Sequence, residues 1–215
     1  MQFRFTRWIG ARPALRAWML VALALPASSA YSASKTVLVL GDSLSAEYGL
    51  VRGTGWVALL QAQLEKQKVD VTLLNASISG ETTSGGATRL PELLKQHPSV
   101  VVIELGANDG LRGLSLRAAE TNLRAMIAAA QGAHAKVILV GMRLPPNYGP
   151  DYGDKFAGLF AKLAKESKTA LVPFLLDGIA DQPQLFQSDN FHPIASAEPA
   201  LLNNVWPVLK QTLNK

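Results

Sequence analysis

Four aliphatic residues, Val37 to Leu40, run directly into Gly41, and Ser43 follows two positions later. A short continuous apolar run that is bounded by a turn residue is typical of a buried strand in a parallel sheet. Gly41 allows the backbone to turn, so Ser43 is expected just beyond the carboxyl end of this strand. In open α/β sheets, ligands bind at that edge.

Four further apolar runs predict strands, and segments with helical periodicity separate them. The predicted strands cover residues 37–40, 69–74, 100–105, 137–140 and 171–174. The predicted helices begin near Trp56, at a cap formed by Thr82 or Thr83, at Ser115, near Asp154 and near Ala197. This alternation predicts one three-layer α/β/α domain of the flavodoxin-like type, with a five-stranded parallel sheet of order 2-1-3-4-5.

The first 30 residues differ from the remainder in charge and hydropathy. Four arginines between positions 4 and 16 form a basic leader without an acidic residue, and nine apolar residues, 17–25, follow. Small residues up to Ala30 complete the pattern of a secretory signal peptide, with cleavage after Ala30 or Ala33. Nine apolar residues are too few to span a bilayer. We therefore expect a cleaved signal peptide (1–30), a single domain (31–215), and export to the periplasm or beyond.

Removal of that leader changes the charge balance. The whole chain has 21 Lys and Arg against 16 Asp and Glu, a formal charge of +5. Without the four leader arginines the balance is 17 − 16 = +1, which gives no argument for nucleic acid as a partner. The chain has no cysteine, so disulfides and thiol chemistry are excluded.

Polar groups suited to nucleophilic catalysis follow several predicted strands. A serine nucleophile needs a base that accepts its proton, and the base needs a carboxylate that fixes its tautomer. Asp189 and His192, three residues apart before the last helix, can supply both groups. An oxyanion needs donors, which the backbone N–H groups of Ser43 and Gly80 and the side chain of Asn108 can supply.

Each of these motifs has an ordinary structural explanation when it is taken alone. Ser43 fits a turn with a capping serine, and Gly80 fits a turn glycine. Asn108 fits a turn that is rich in side-chain caps, and Asp189 with His192 fits a metal-ligand pair or a loop hydrogen bond. Because all of them fall at predicted strand or helix boundaries, the catalytic interpretation is favoured.

Four motifs resemble, in order and spacing, the sequence blocks of the GDSL/SGNH hydrolases. They are Gly41-Asp42-Ser43-Leu44, Gly80, Gly106-Ala107-Asn108-Asp109 and Asp189-x-x-His192. The resemblance covers about residues 36–213, and segments 41–49, 75–83 and 143–149 are similar to the periplasmic thioesterase I/lysophospholipase L1/arylesterase subgroup. It implies hydrolysis of acyl esters, acyl thioesters or lysophospholipids without a cofactor. It also implies a triad of Ser43, Asp189 and His192, with Ser43, Gly80 and Asn108 as oxyanion donors.

A groove for the acyl chain is expected beside this crevice. The connection after the third strand carries Leu111, Arg112 and Leu114, and is placed to form a wall and, with its two glycines, to move. Arg143 follows the fourth strand and can meet a polar part of the substrate or form a surface ion pair. No metal is expected, because neither a cysteine nor a second histidine lies near His192 in the sequence.

Three other functions are compatible with parts of this pattern. A carbohydrate O-deacetylase would use the same triad with a short acyl pocket. A non-catalytic ligand-binding relative is opposed by the complete triad. A nucleotide-binding flavodoxin-like module leaves Asn108 and the Asp189–His192 pair unexplained.

Overall fold

The structure, a computed structural model, describes residues 1–3 and 35–214. The chain divides into two units, Met1–Ser32 and Ala33–Lys215, and every described helix and strand belongs to the second. The predicted signal peptide beyond residue 3, with its cleavage site, lies outside the described residues. None of the described helices is both long enough and apolar enough to cross a bilayer.

A five-stranded parallel sheet forms the centre of the second unit, and its order is the predicted 2-1-3-4-5. The strands are β1 (Lys35–Gly41), β2 (Val71–Asn75), β3 (Val100–Glu104), β4 (Lys136–Val140) and β5 (Ala170–Val172). The central strands β1, β3 and β4 are buried along most of their length, whereas β2 at one edge is partly exposed. Continuous apolar runs therefore mark the strands that helices cover on both faces.

Helices cover both faces of the sheet. They are α1 (Trp56–Lys66), α2 (Thr83–Leu93), α3 (Ala107–Leu111), α4 (Leu116–Gly132), α5 (Pro150–Ser167) and α6 (Glu198–Leu213). α1 packs against α6 on one face, and α4 packs against both α2 and α5 on the other. Two predicted caps are confirmed, because Thr82 accepts a hydrogen bond from the N–H of Gly85 and Ser115 accepts one from that of Ala118.

Among the differences from the predicted elements, those of α5 and β5 have local reasons. α5 begins at Pro150 instead of near residue 154, since proline fits the first helical turn and Gly149 precedes it with φ of 79°. β5 ends at Val172 because Pro173 has no N–H to continue the pairing. The short helix α3 occupies a segment for which the sequence predicts a loop.

The start of α1 is capped by a residue from the far end of the chain. Its N-cap, Gly55, has no side chain, and the N–H of Trp56 donates to Oε2 of Glu198 at 2.7 Å. Glu198 belongs to the first turn of α6 and is 1 % exposed. Burial raises the pKa of the Glu198 carboxyl from 4.5 to about 7, and the hydrogen bond from Trp56 opposes this rise.

Replacing Glu198 by glutamine is expected to flatten the pH dependence of stability. The folded-state pKa lies above the unfolded one, so the contribution of Glu198 is complete below about pH 4.5 and is lost as the pH rises through about 7. Gln keeps an oxygen acceptor for Trp56 but does not ionise. Between about pH 5 and pH 8, the wild type should lose on the order of 2 kcal/mol of unfolding free energy more than Glu198→Gln.

Urea unfolding at the two pH values measures this difference, with Glu92→Gln as the control. Glu92 is an exposed carboxylate that pairs with Lys95, with 76 % of its side chain accessible. Its replacement should leave the pH dependence unchanged. Identical pH dependence in wild type and Glu198→Gln would contradict the raised pKa.

Candidate active site

Ser43 lies in the turn directly after β1, at the carboxyl edge of the sheet. The turn is closed by hydrogen bonds from the N–H of Ala46 to the carbonyl of Asp42, and from that of Tyr48 to the carbonyl of Ser43. Gly41 is required at its start, since a Cβ there would lie 2.7 Å from a carboxylate oxygen of Glu104. Tight packing below the turn thus fixes where Ser43 presents its hydroxyl.

The hydroxyl of Ser43 is part of a chain of three hydrogen-bonded side chains. Nε2 of His192 lies 2.8 Å from Oγ of Ser43, and Nδ1 of the same ring lies 2.7 Å from Oδ2 of Asp189. A carboxylate beside Nδ1 favours the tautomer that carries its proton there. In that tautomer, the lone pair of Nε2 faces the serine hydroxyl.

Asp189 is held as an anion by the loop that it belongs to. Its Oδ1 accepts hydrogen bonds from the N–H groups of Phe191 and His192, at 2.9 and 3.0 Å. Burial alone would raise the pKa of the Asp189 carboxyl, but these two hydrogen bonds and the His192 ring outweigh it and lower the pKa from 3.8 to about 2. The carboxylate is therefore ionised throughout the neutral range.

The segment around His192 is braced on both sides. The N–H of Gln187 donates to the carbonyl of His192 at 2.7 Å, and the N–H of Ile194 donates to that of Leu185 at 2.9 Å. The ring of Tyr48 packs against the imidazole with 4.4 Å between centroids. These contacts restrict the ring to the position that reaches Ser43.

The two backbone N–H groups that are predicted to bind an oxyanion have no acceptor among the described residues. The N–H groups of Ser43 and Gly80 donate no hydrogen bond to any described residue. Gly80 adopts φ of 79°, in the left-handed region that favours glycine. Ser43 lines the cavity of the site, whereas Gly80 is not among the residues that line it.

Asn108 lies in the first turn of α3, and both hydrogens of its amide nitrogen have partners. Nδ2 donates to Oδ2 of Asp42 at 3.1 Å and to the carbonyl of Glu81 at 3.0 Å. Asp42 is 1 % exposed, and burial raises the pKa of its carboxyl from 3.8 to about 6, against hydrogen bonds from Leu44 and Asn108. An oxyanion that binds Asn108 has to share one of these two hydrogens.

Ser43 and His192 both line a cavity of about 450 Å³. This volume lies within the usual range of small-molecule sites. Most of the wall is apolar, and its larger side chains include Leu111, Met142, Leu144, Phe174, Leu176 and Phe186. The cavity offers space and apolar surface for a chain longer than an acetyl group.

The four residues predicted for the substrate groove separate into two pairs. Leu111 and Arg143 line the cavity, and the Arg143 guanidinium lies 4.7 Å from the centre of the Phe174 ring. Leu114 is 44 % exposed, and neither it nor Arg112 lines the cavity. The segment predicted to be a mobile loop begins as helix, because Gly110 and Leu111 belong to α3.

The sequence does not single out Glu104, although it lies directly beneath the turn that holds Ser43. Glu104 is fully buried, and its Oε2 accepts hydrogen bonds from Oγ of Ser45 at 2.7 Å and from the N–H of Asp42 at 3.2 Å. Burial, followed by the nearby charge of Asp42, raises the pKa of the Glu104 carboxyl well above 4.5. A glutamate at the end of the apolar run of β3 is the only sequence signal for this group.

Asp109, another buried carboxylate, connects the Asn108 segment to α2. Oδ2 of Asp109 accepts a hydrogen bond from the N–H of Thr83 at 2.8 Å, and Oδ1 accepts one from the hydroxyl of Thr83 at 2.6 Å.

The other two histidines of the chain lie away from this site. His97 and His134 line a different depression, next to Lys35 and Lys136. Among the described residues, no group of three or more acidic, histidine or cysteine side chains is arranged to hold a metal ion.

Comparison with known proteins gives a consistent result. Residues 39–197 match the GDSL-like Lipase/Acylhydrolase family. "Esterase TesA" of Pseudomonas aeruginosa is 48 % identical over 192 residues, which cover 89 % of this chain and 96 % of that protein. "Thioesterase 1/protease 1/lysophospholipase L1" of Escherichia coli K12 is 41 % identical over 184 residues, which cover 85 % and 87 % of the two chains.

A solved structure agrees with this assignment. The crystal structure of TesA is 49 % identical and matches with a TM-score of 0.81, over 83 % of this chain and 99 % of that one. The resemblance predicted from the four sequence motifs is thus confirmed. The chain belongs to the GDSL-like lipase/acylhydrolase family.

Proposed function

We propose that this protein is a serine hydrolase that cleaves acyl esters and acyl thioesters through an acyl-enzyme on Ser43. The observation that carries the proposal is the 2.8 Å contact between Oγ of Ser43 and Nε2 of His192, with the Asp189 carboxylate 2.7 Å from the opposite ring nitrogen. This arrangement suits a nucleophile, a general base and the group that orients the base. The names of the relatives, esterase and thioesterase, point to the same bond types.

The mechanism is a two-step acyl transfer. Oγ of Ser43 attacks the acyl carbonyl carbon while its proton passes to Nε2 of His192, and the carbonyl electrons move to the oxygen. The oxyanion receives hydrogen bonds from the N–H groups of Ser43 and Gly80 and from Asn108. The bond to the leaving oxygen or sulfur then breaks, and His192 protonates the leaving group. A water molecule then attacks the acyl-enzyme while His192 accepts its proton. The bond to Oγ of Ser43 breaks, His192 returns the proton to that oxygen, and the carboxylic acid leaves.

The apolar cavity supports substrates with an extended acyl chain, including lysophospholipids. A carbohydrate O-deacetylase on the same fold would need a short acyl pocket and polar groups for a sugar. The 450 Å³ space and its leucine, methionine and phenylalanine side chains do not meet that description. Each methylene buried in such a wall contributes about 0.8 kcal/mol to binding, so longer chains are expected to bind more tightly.

An acyl-length series tests this proposal. Hydrolysis of esters and matched thioesters from acetyl to palmitoyl should show kcat/KM rising with chain length beyond butyryl for both leaving groups. Activity confined to acetyl esters would favour the deacetylase instead. Absence of hydrolysis throughout the series, by a folded protein, would favour a non-catalytic ligand-binding relative.

The preference for long chains is expected to depend on Leu111 and not on Leu114. Leu111 lines the cavity, whereas Leu114 lies outside it and is exposed. Leu111→Ala should lower the octanoyl-to-acetyl ratio of kcat/KM by roughly tenfold, as expected for loss of about 1.5 kcal/mol of apolar contact. Leu114→Ala is the matched control and should leave the ratio unchanged. Equal ratios in both variants would refute this assignment of the wall.

We further propose that residues 1–30 direct export and are then removed, leaving one domain that acts in the periplasm or outside the cell. The basic leader, the nine-residue apolar run and the small residues before Ala30 support this. Intact-mass measurement of the protein from the periplasmic fraction should give the chain that begins at Tyr31 or Ser34. A mass that includes residue 1 would contradict it.

A further inference from the structure

Arg112 occupies a position that neither the acyl groove nor the triad explains. It follows α3 directly and is exposed, but it forms no ion pair with a described carboxylate. Its Nη2 donates instead to two neutral oxygens, the carbonyl of Gly80 at 3.0 Å and Oδ1 of Asn108 at 3.3 Å. One guanidinium nitrogen thus contacts both residues that are paired with Ser43 in the proposed oxyanion hole.

The hydrogen bond from Arg112 to Asn108 favours one orientation of the Asn108 amide. Nδ2 donates to Asp42 and to the carbonyl of Glu81, while Oδ1 faces the guanidinium. A flipped amide would direct Oδ1 at two oxygen acceptors and its NH₂ group at a cation that can only donate. Arg112 therefore opposes the flipped orientation, in which no N–H would face Asp42 and the site.

The hydrogen bond from Arg112 to Gly80 restrains a backbone position that, as glycine, has wide conformational freedom. Gly80 has φ of 79°, and glycine explores both signs of φ at little cost. Its carbonyl accepts the Arg112 hydrogen bond, and its N–H donates to no described residue. Anchoring the carbonyl restricts rotation about Gly80 and so limits the directions in which its N–H can point.

We propose that Arg112 is a positioning residue for the oxyanion hole, which links the Gly80 backbone to the Asn108 amide so that both donors are already aligned before the tetrahedral intermediate forms. The inference rests on the proposed function. It assigns Arg112 a role in transition-state stabilisation and not in substrate binding. Donors that are fixed in advance need no reorganisation during the reaction, and loss of a single such donor in serine hydrolases costs about 10²- to 10³-fold in kcat. Loss of a residue that only aligns the donors should cost less.

The test compares Arg112→Ala and Arg112→Lys with Arg52→Ala on a soluble butyryl ester. Arg52 is an exposed arginine of the β1–α1 connection and is the matched control for charge. Arg112→Ala should lower kcat by about tenfold and change KM by less than about twofold. Arg112→Lys, which keeps one cationic donor, should fall between Arg112→Ala and wild type. Arg52→Ala should match wild type.

Chemical rescue distinguishes positioning from a purely structural role. Guanidinium chloride at a concentration far below that needed for unfolding should restore part of kcat in Arg112→Ala and leave wild type and Arg52→Ala unchanged. A rise in KM with kcat unchanged would assign Arg112 to the substrate groove and overturn the inference, as would wild-type kinetics in Arg112→Ala. A thermal midpoint well below that of wild type, with a low kcat that guanidinium does not raise, would also overturn it.

The same assays separate failure of this inference from failure of the proposed function. An active wild type with a fully active Arg112→Ala would refute only the role of Arg112. An inactive wild type would refute the hydrolase proposal and, with it, the inference.

Discussion

Replacing Ser43 by alanine is expected to lower kcat by at least about 10⁴-fold while the protein stays folded. The change removes the oxygen that is proposed to attack the substrate. It also leaves the N–H of Ser43 available, so a residual rate from the oxyanion donors and substrate binding should remain. Ser43 is only half-buried, and among the described residues its hydroxyl forms a hydrogen bond only with His192. The thermal midpoint should therefore stay close to that of wild type.

Turnover of a butyryl ester, measured with enough enzyme to detect a 10⁴-fold loss, gives the result. Ser188→Ala is the control, because Ser188 is an exposed serine in the loop of Asp189 and forms no hydrogen bond through its side chain with a described residue. It should retain wild-type activity. A Ser43→Ala protein with more than about a tenth of wild-type kcat would rule out Ser43 as the nucleophile.

Replacing Asp189 by asparagine is expected to lower kcat by about 10⁴-fold through the tautomer of His192. The amide cannot simply turn around, because the N–H groups of Phe191 and His192 both require an oxygen at the position of Oδ1. Its NH₂ group must then face Nδ1, which becomes an acceptor and moves the ring proton to Nε2. That nitrogen cannot accept the proton of Ser43.

The matched control for this variant is Asp181→Asn. Asp181 is an exposed carboxylate in the same β5–α6 connection and has no hydrogen-bonded partner among the described residues. Its replacement should leave kcat unchanged. If Asp189→Asn lost less than about tenfold in kcat, the carboxylate would not fix the tautomer as the geometry suggests.

The sequence predicts the sheet well because burial leaves a simple pattern. The aliphatic runs of β1, β3 and β4 are continuous since helices cover both faces of those strands. The predicted order 2-1-3-4-5 then follows from the right-handed crossovers of a doubly wound sheet. The polar groups that end these strands are brought to one edge by the same topology.

Features that depend on three-dimensional packing are not readable in this way. α3 has five residues, and a Cβ on Gly110 would lie 2.8 Å from Leu144 and 2.9 Å from Phe156, so packing from distant segments accounts for this helix. Leu111 and Leu114 look equivalent in the sequence, but only Leu111 lines the cavity. The contacts of Arg112 likewise depend on Gly80, which lies 32 residues away in the chain.

The environments of the buried carboxyl groups are likewise not predictable from the sequence. Glu104 ends an apolar strand, and nothing in its neighbours along the chain indicates that burial raises the pKa of its carboxyl. Asp42 is part of the recognised motif, but its hydrogen bond with Asn108 becomes visible only when β1 and α3 are placed together. Glu104 accepts hydrogen bonds from Asp42 and Ser45, and Asp42 accepts one from Leu44, so both carboxyl groups stabilise the turn that holds Ser43.

Covalent labelling of Ser43 tests the central claim most directly. Wild-type protein is treated with a long-chain alkyl fluorophosphonate, digested and examined by mass spectrometry, with residual esterase activity followed in parallel. We expect one phosphonyl adduct, located on Ser43, to form in proportion to the loss of activity, and no adduct in Ser43→Ala. An adduct on another residue, or complete inactivation with Ser43 unmodified, would contradict the proposed mechanism.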